Sequence, residues 1–245
     1  METDMVVVAA GAFFAALAIG SAGFAFSMVA TAFWIYVLPP PVVVLLAATA
    51  GTLLHGISMW RYRHVIDYRR LLPFVIGGVI GVPLGVWTGG SVDIVTFRRI
   101  VGALMIFYGI YTLVGFPLRP VGEGGGHVMR ASDTLVGWLG GVLGGVCMLN
   151  GPLITIWCTL RGWDKVASRH VYQPYIWCTS FAVMATSGLT IGVNASRIPL
   201  YLAVLLPGAM AGLALGHRLF DWVNEQQFRR LLSFLIFASG VSLVF

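Results

Sequence analysis

The chain alternates long apolar runs with short polar clusters, and the runs set its scale. No Asp, Glu, Lys or Arg interrupts Met5–Trp60, and further uncharged runs cover Leu71–Val92, Ile100–Leu118, Thr134–Leu160, His170–Ser196 and Ile198–His217. These meet or exceed the roughly 20 residues that carry a helix across hydrocarbon. The pattern predicts eight apolar elements, at about 5–38, 40–60, 71–90, 97–115, 134–160, 168–190, 198–217 and 228–245.

Composition fixes the class. With 58% hydrophobic residues, 10% charged residues and a mean hydropathy of +0.90, the chain cannot present an ordinary polar surface to water. A polytopic α-helical membrane protein is expected, with no length left in 245 residues for a soluble domain. The first run has only Glu2 and Asp4 ahead of it and continues far beyond a signal peptide, so it reads as mature structure. The net charge of +6 sits in short loops, as membrane topology signals do, and no nucleic-acid partner is expected. Cys147, Cys158 and Cys178 all fall inside apolar elements, with neither zinc-site nor CxxC spacing.

The chain repeats itself. "FRRIVGALMIFYGIYTLV" (97–114) returns 131 positions later as "FRRLLSFLIFASGVSLVF" (228–245), and Gly77, Gly81 and Gly85 map at the same offset onto Gly208, Gly212 and Gly216. Small-xxx-small spacing by itself means close helix packing in lipid. Its duplication points to two repeats. Each half also opens on a glycine-rich stretch, "AIGSAGFAFSMVA" (18–30) and "LGGVLGGVCMLNGPL" (139–153).

Counting Lys and Arg tests how the elements are threaded. If all eight cross, with "RYRHVIDYRR" cytoplasmic, 7 of the 15 basic residues lie inside and 8 outside, which is no bias. If elements one and five are instead re-entrant hairpins, 12 lie inside and only Arg98, Arg99 and Arg197 outside. That is the positive-inside arrangement, and it puts the two Phe-Arg-Arg copies on opposite faces. The Gly151-Pro152 break within element five supports a hairpin there. The predicted fold is therefore an all-α polytopic membrane protein with two inverted four-element repeats, the first element of each a broken or re-entrant hairpin. Residues 1–118 and 134–245 form the repeats, and 119–133 a cytoplasmic linker.

The nine carboxylates read as lying in termini, loops or element boundaries, so the membrane interior offers none to hold a cation or relay protons. Broken helices instead present backbone N–H groups at partly positive half-helix N-termini, which suits an oxyanion. Ser21, Ser27, Asn150 and Thr155 add neutral donors.

At these residues the chain resembles the sulfite exporter TauE/SafE family of membrane permeases. The resemblance spans nearly the whole chain, from the two glycine-rich broken helices to the glycine-ladder helix pairs. "GGVLGGVCMLNGPL" looks like the family's glycine-rich segment with its Pro-x-Leu-like ending, here Gly151-Pro152-Leu153. The first half departs from it, having no proline until Pro39. The resemblance implies transport of small sulfur-containing anions, such as sulfite and organosulfonates, across the bacterial inner membrane. The residues alone imply only an anion, and leave a passive anion channel open beside a transporter; a membrane thiol–disulfide relay is the more distant alternative, disfavoured because the first half has no cysteine.

The candidate substrate-binding residues are Gly20, Ser21, Gly23 and Ser27 at the first tip, and Gly145, Cys147, Asn150, Gly151 and Thr155 at the second. Cys147 is either a thiol facing the anion or, the weightier reading, a small buried hydrophobe. Asn150 either contacts substrate or caps freed backbone groups. His55, Tyr172 and Gln173 form a candidate proton or polar relay, with ordinary inter-helix contacts as the alternative. Trp34, Trp60, Trp87 and Trp163 fit interfacial anchors. No enzyme activity, cofactor or metal is expected. The expected partners are a small anion, the lipid bilayer and, as an open option, a second copy of the chain. The N-terminus is placed in the periplasm.

Overall fold

The computed structural model describes residues 2–22, 24–60, 66–114, 127–190, 198–222 and 225–244. Ten helices account for nearly all of them: α1 (Glu2–Ala22), α2 (Phe26–Trp34), α3 (Pro40–Trp60), α4 (Tyr68–Gly89), α5 (Ile94–Val114), α6 (His127–Cys147), α7 (Gly151–Leu160), α8 (Lys165–Thr190), α9 (Ile198–Trp222) and α10 (Glu225–Val244). The described residues include no strand. Among the described residues, four stretches are long and apolar enough to cross a membrane: Pro40–Trp60, Tyr68–Gly89, Ile94–Val114 and Ile198–Arg218. The fold is all-α and polytopic.

The first and fifth predicted elements are each two helices. α1 ends at Ala22 and α2 starts at Phe26, and α6 gives way to α7 at 148–150. At the second break Met148 adopts φ 62°, a left-handed conformation that costs a non-glycine residue free energy. Pro152, which lacks an N–H, sits in the first turn of α7, where none is needed. Each pair folds back on itself. Trp34 at the end of α2 donates its indole N–H to the Val8 carbonyl near the start of α1, 3.1 Å away. Trp157 late in α7 donates to Asp133 early in α6 at 2.7 Å. A tryptophan on the returning arm thus latches each hairpin at its base.

The glycine-ladder helix pairs are built from opposite halves of the chain. α4 runs parallel to α6: Gly77, Gly81 and Gly85 lie on the carbonyls of Thr134, Trp138 and Val142, while Gly137, Gly141 and Gly145 lie on those of Phe74, Gly78 and Val82. α9 runs parallel to α1, with Gly208, Gly212 and Gly216 on the carbonyls of Ala9, Phe13 and Leu17. Lipid tails are as apolar as Leu, so association rests on close van der Waals approach, which these glycines permit. α5 and α10 cross at Gly102, Gly109 and Gly240. The lipid-facing side carries exposed apolar residues such as Leu72, Ile80, Trp87 and Phe107.

Loop chemistry sets the remaining helix starts. Asp67 caps α4 through the amides of Arg69 and Arg70. Asp93 caps α5 through those of Val95 and Thr96, and its bonds to Thr96 hold the carboxyl below its usual range.

Three expectations are corrected. Asp133 lies inside α6, buried and paired with Arg161 at 3.5 Å, and is not a boundary residue. α6 begins at His127, seven residues ahead of the predicted element, so the charged first turns belong to the helix. Trp34 and Trp163 are buried rather than interfacial, Trp34 as the latch and Trp163 beneath the guanidinium groups of Arg70 and Arg161. Trp60 and Trp87 are exposed at helix ends, as anchors are. The linker expected at 119–133 falls largely outside the described residues.

Candidate functional site

Both hairpin tips reach the same place. A Cβ on Gly151, at the start of α7, would stand 3.1 Å from the Phe24 carbonyl at the first tip and 3.2 Å from Ile176 of α8. The Phe24 ring packs edge-on against Tyr108 of α5 and Tyr172 of α8. The N-termini of α2 and α7 therefore converge. The first-turn N–H groups of a helix have no partner within it, and they carry the positive end of its dipole.

Asn150 is the polar centre of the second tip. It is 1% exposed, and its side-chain amide donates to Thr179 Oγ1 at 2.8 Å and Ser180 Oγ at 3.4 Å, both on α8. It stands at the cap position of α7 yet its side chain makes no capping bond, so capping is not what the amide does. Its Oδ1 is buried with no hydrogen-bond partner. An unsatisfied buried acceptor is uncommon and costs about 1–3 kcal/mol.

Across from it, α3 contributes Gly51 and His55. Most glycines of this fold are pressed against backbone, but Gly51 is not. A Cβ there would lie 3.5 Å from Ser180 Oγ, 3.8 Å from Met148 Cε and 3.9 Å from His55 Cδ2, which is ordinary contact. Gly51 thus leaves a methyl-sized gap facing a hydroxyl and an imidazole. His55 is buried, and its Nδ1 has no partner. Gln173 donates to Ser58 at 3.4 Å farther along the same α3–α8 contact. Arg169, also buried, is within electrostatic reach of His55.

The other candidates divide. Ser27 is buried in the first turn of α2. Gly20 and Gly145 are consumed by helix packing, against the Gly216–His217 backbone of α9 and against Val82 and Val86 of α4. The Cys147 thiol donates to Leu143 O within its own helix, and the Thr155 hydroxyl to Pro152 O in its own. Tyr172 packs on Phe24. Gly23 and the side chain of Ser21 lie outside the described residues. Thr179, Ser180 and Gly51 went unpredicted. Thr179-Ser180 is a polar pair inside an apolar run, the one signal that marked it, while Gly51 has no sequence signature apart from neighbouring glycines.

A lateral apolar recess of about 50 Å³, lined by Leu104, Tyr108, Leu149, Pro152 and Ile156 among others, borders the second tip from the α5 side. A second cluster, Asp133–Arg161–Trp157, lies at the hairpin base rather than its tip.

No curated protein and no solved structure matches this chain. A family model described as Sulfite exporter TauE/SafE matches residues 8–243, taking in both hairpins and both glycine-ladder pairs. The chain, built from two such latched hairpins in an all-helical membrane fold, belongs to the sulfite exporter TauE/SafE family.

Proposed function

We propose that the chain is a transporter for small sulfur-containing oxyanions, such as sulfite or organosulfonates, with its site between the two hairpin tips near the middle of the bilayer. The observation that carries this reading is the meeting of the α2 and α7 N-termini at Phe24 and Gly151. Two positive half-helix ends converge there, with no carboxylate among the residues described around them. Depth supports it too. The 10 residues of α7 span roughly 15 Å, about half of a hydrocarbon core of ~30 Å. Asn150, Ser180, Thr179 and His55 supply neutral polar groups, and Ser27 lies at the start of the opposing half-helix.

The charge count supports the membrane arrangement: two inverted repeats in the bacterial inner membrane, the second opening with α6 at His127, with the join between them cytoplasmic and the N-terminus periplasmic. Neutral donors suit a carrier because they release an anion that a buried arginine would hold.

Unfolding of purified protein would be followed with sulfite, sulfate, thiosulfate, sulfoacetate, taurine and chloride. A ligand that binds only the folded state at 100 times its Kd stabilises by about 2.7 kcal/mol. At least one sulfur anion is expected to stabilise the wild type, and Ser180→Ala to weaken that response. Stabilisation by chloride alone would point to a channel, and a response to none would refute the reading.

A further inference from the structure

We infer that the lateral recess beside the second tip is a slot for the end of a lipid acyl chain, drawn from the leaflet at the C-terminal end of α5. The inference is independent of which anion the protein carries. The recess, about 50 Å³, is walled by Leu104, Phe107 and Tyr108 of α5 and by Leu149, Pro152 and Ile156 at the second tip, and the surface they turn to it is wholly apolar. Water does not suit such a space, because a buried water needs about three polar partners. The depth fits a chain end. Leu104 is the midpoint of α5, about 15 Å of helix from either terminus, and a hydrocarbon core is ~30 Å thick. The recess therefore opens near the bilayer midplane, where acyl chains end.

A track leads into it. Ala103, Phe107, Ile110 and Val114 share one face of α5 and are exposed, Phe107 by 63% and Val114 by 61%, so the recess is continuous with the lipid-facing surface. From Leu104 the stripe runs about 15 Å to the C-terminal end of α5, roughly the hydrocarbon depth of one leaflet. In the other direction the same face meets exposed Arg99 after about 7.5 Å, which cuts the apolar path to half. The chain thus enters from the C-terminal end, which is the cytoplasmic leaflet in the arrangement proposed above. Its end rests against the tip junction. Pro152 lines the recess, and Gly151 of the same turn lies against the Phe24 carbonyl of the first tip. Tyr108 lines it too, and packs edge-on against the Phe24 ring at 5.7 Å. An acyl chain end in the slot therefore backs the contacts through which the two tips meet, and supplies dispersion contacts that an unfilled void forfeits.

The experiment places the purified full chain in phosphatidylcholine vesicles with a trace of one of two photoactivatable phosphatidylcholines. One carries a diazirine at the end of an acyl chain, the other beside the glycerol, and labelled residues are mapped by mass spectrometry after irradiation. Ile80, 64% exposed near the middle of α4, reports ordinary lipid contact at the same depth, and Ile154, fully buried on α7, reports background. Relative to Ile80, the chain-end probe is expected to label Pro152, Leu153 and Ile156 at least fivefold more than Ile154, and at least fivefold more than the glycerol-side probe does. Leu104→Phe, which puts a ring into the slot, should cut that labelling at least fivefold with Ile80 unchanged and the unfolding temperature no lower. Leu104→Ala, which widens the slot, should keep or raise the labelling, and decides the matter if the larger side chain prevents folding; a fall there would count against the slot. Labelling of Ile80 without labelling of α7 overturns the inference, whether the recess then stands empty or a second copy of the chain fills it. Equal labelling by the two probes, or labelling indifferent to a folded Leu104→Phe variant, overturns it as well.

Discussion

Replacing Asp133 by Asn removes one charge from the base of the second hairpin and almost nothing else. Asn is nearly isosteric and keeps an acceptor for the Trp157 indole, which donates to Asp133 at 2.7 Å. What is lost is the counter-charge of Arg161, 3.5 Å away, in a pair whose side chains are 5% and 7% exposed. Removing one member of a buried pair costs about 3–5 kcal/mol, because the other charge stays desolvated. The long separation, and the contact of Arg161 with the Trp163 ring at 5.4 Å, argue for the lower end. At about 2–4 °C per kcal/mol for a chain of this size, ~3 kcal/mol becomes a fall of about 6–12 °C in Tm. A thiol-reactive dye would report it, since Cys147 and Cys158 are buried and become reactive on unfolding. Adding Arg161→Met should restore most of the loss, because an apolar replacement for a buried pair is often close to neutral. A fall below about 1 kcal/mol, or a double variant no better than the single one, would mean that the pair is solvated and behaves as a surface bridge.

The glycines offer a contrast between packing and space. Gly81→Ala drives a methyl into the Trp138 carbonyl and should cost about 1–3 kcal/mol in thermal unfolding, whereas Gly51→Ala meets only ordinary contacts and should be neutral or stabilising by up to ~1 kcal/mol; equal effects would refute the distinction. Trp34→Phe removes the indole donor, while the Val8 carbonyl keeps its place in the α1 ladder, and shrinks a fully buried ring, so a loss of about 1–3 kcal/mol is expected in the same assay, and an unchanged Tm would show the latch to be incidental. Single cysteines at positions 98 and 229, in a chain lacking its native cysteines, should differ in labelling by a membrane-impermeant reagent in spheroplasts, with Arg98→Cys labelled and Arg229→Cys protected; equal labelling would sink the inverted arrangement.

Much of this fold was legible because a membrane removes choices. Backbone polar groups must be satisfied internally, so long apolar runs can only be helices. The glycine periodicity then exposed the ladders, although sequence could not say that α4 grips α6 across the halves rather than a neighbour within its own. The hairpins were legible through charge: only re-entrant elements restore the positive-inside bias. Their physical closure was not. Trp34 looked like an interfacial anchor because indoles sit at interfaces, yet here it closes a hairpin on a backbone carbonyl. Asp133 looked like a boundary residue because carboxylates avoid hydrocarbon, but Arg161 and Trp157 on the returning arm make its burial tolerable, and nothing local reveals a partner 28 positions away. The candidate site was legible only as a set of polar residues and glycines at the two breaks. Asn150 stood out as a polar residue at a helix break, while Gly20 and Gly145 belonged to packing that the same glycine signal cannot separate from binding.

The two arms of each hairpin are held very differently, and this bears on how a transporter of this shape could move. The entering arms α1 and α6 lie along α9 and α4 with glycine pressed to backbone at every turn, leaving no slack for sliding. The returning arms α2 and α7 have 9 and 10 residues, too few for a helix to be stable in isolation, and each is latched at its base by one indole N–H. The polar groups around the second tip divide along the same line: Asn150 stands at the start of the short arm α7, whereas Ser180, Thr179 and His55 stand on the long helices α8 and α3. The predicted opening motion is a swing of the short arms, with the ladders as a fixed frame. Hydrogen exchange followed by mass spectrometry should find the amides of α2 and α7 exchanging before those of α1, α4, α6 and α9, and a bound sulfur anion should slow the short arms selectively. Faster exchange in the ladder helices than in the short arms would mean that the halves separate along the glycine contacts instead, and the frame would have to be sought elsewhere.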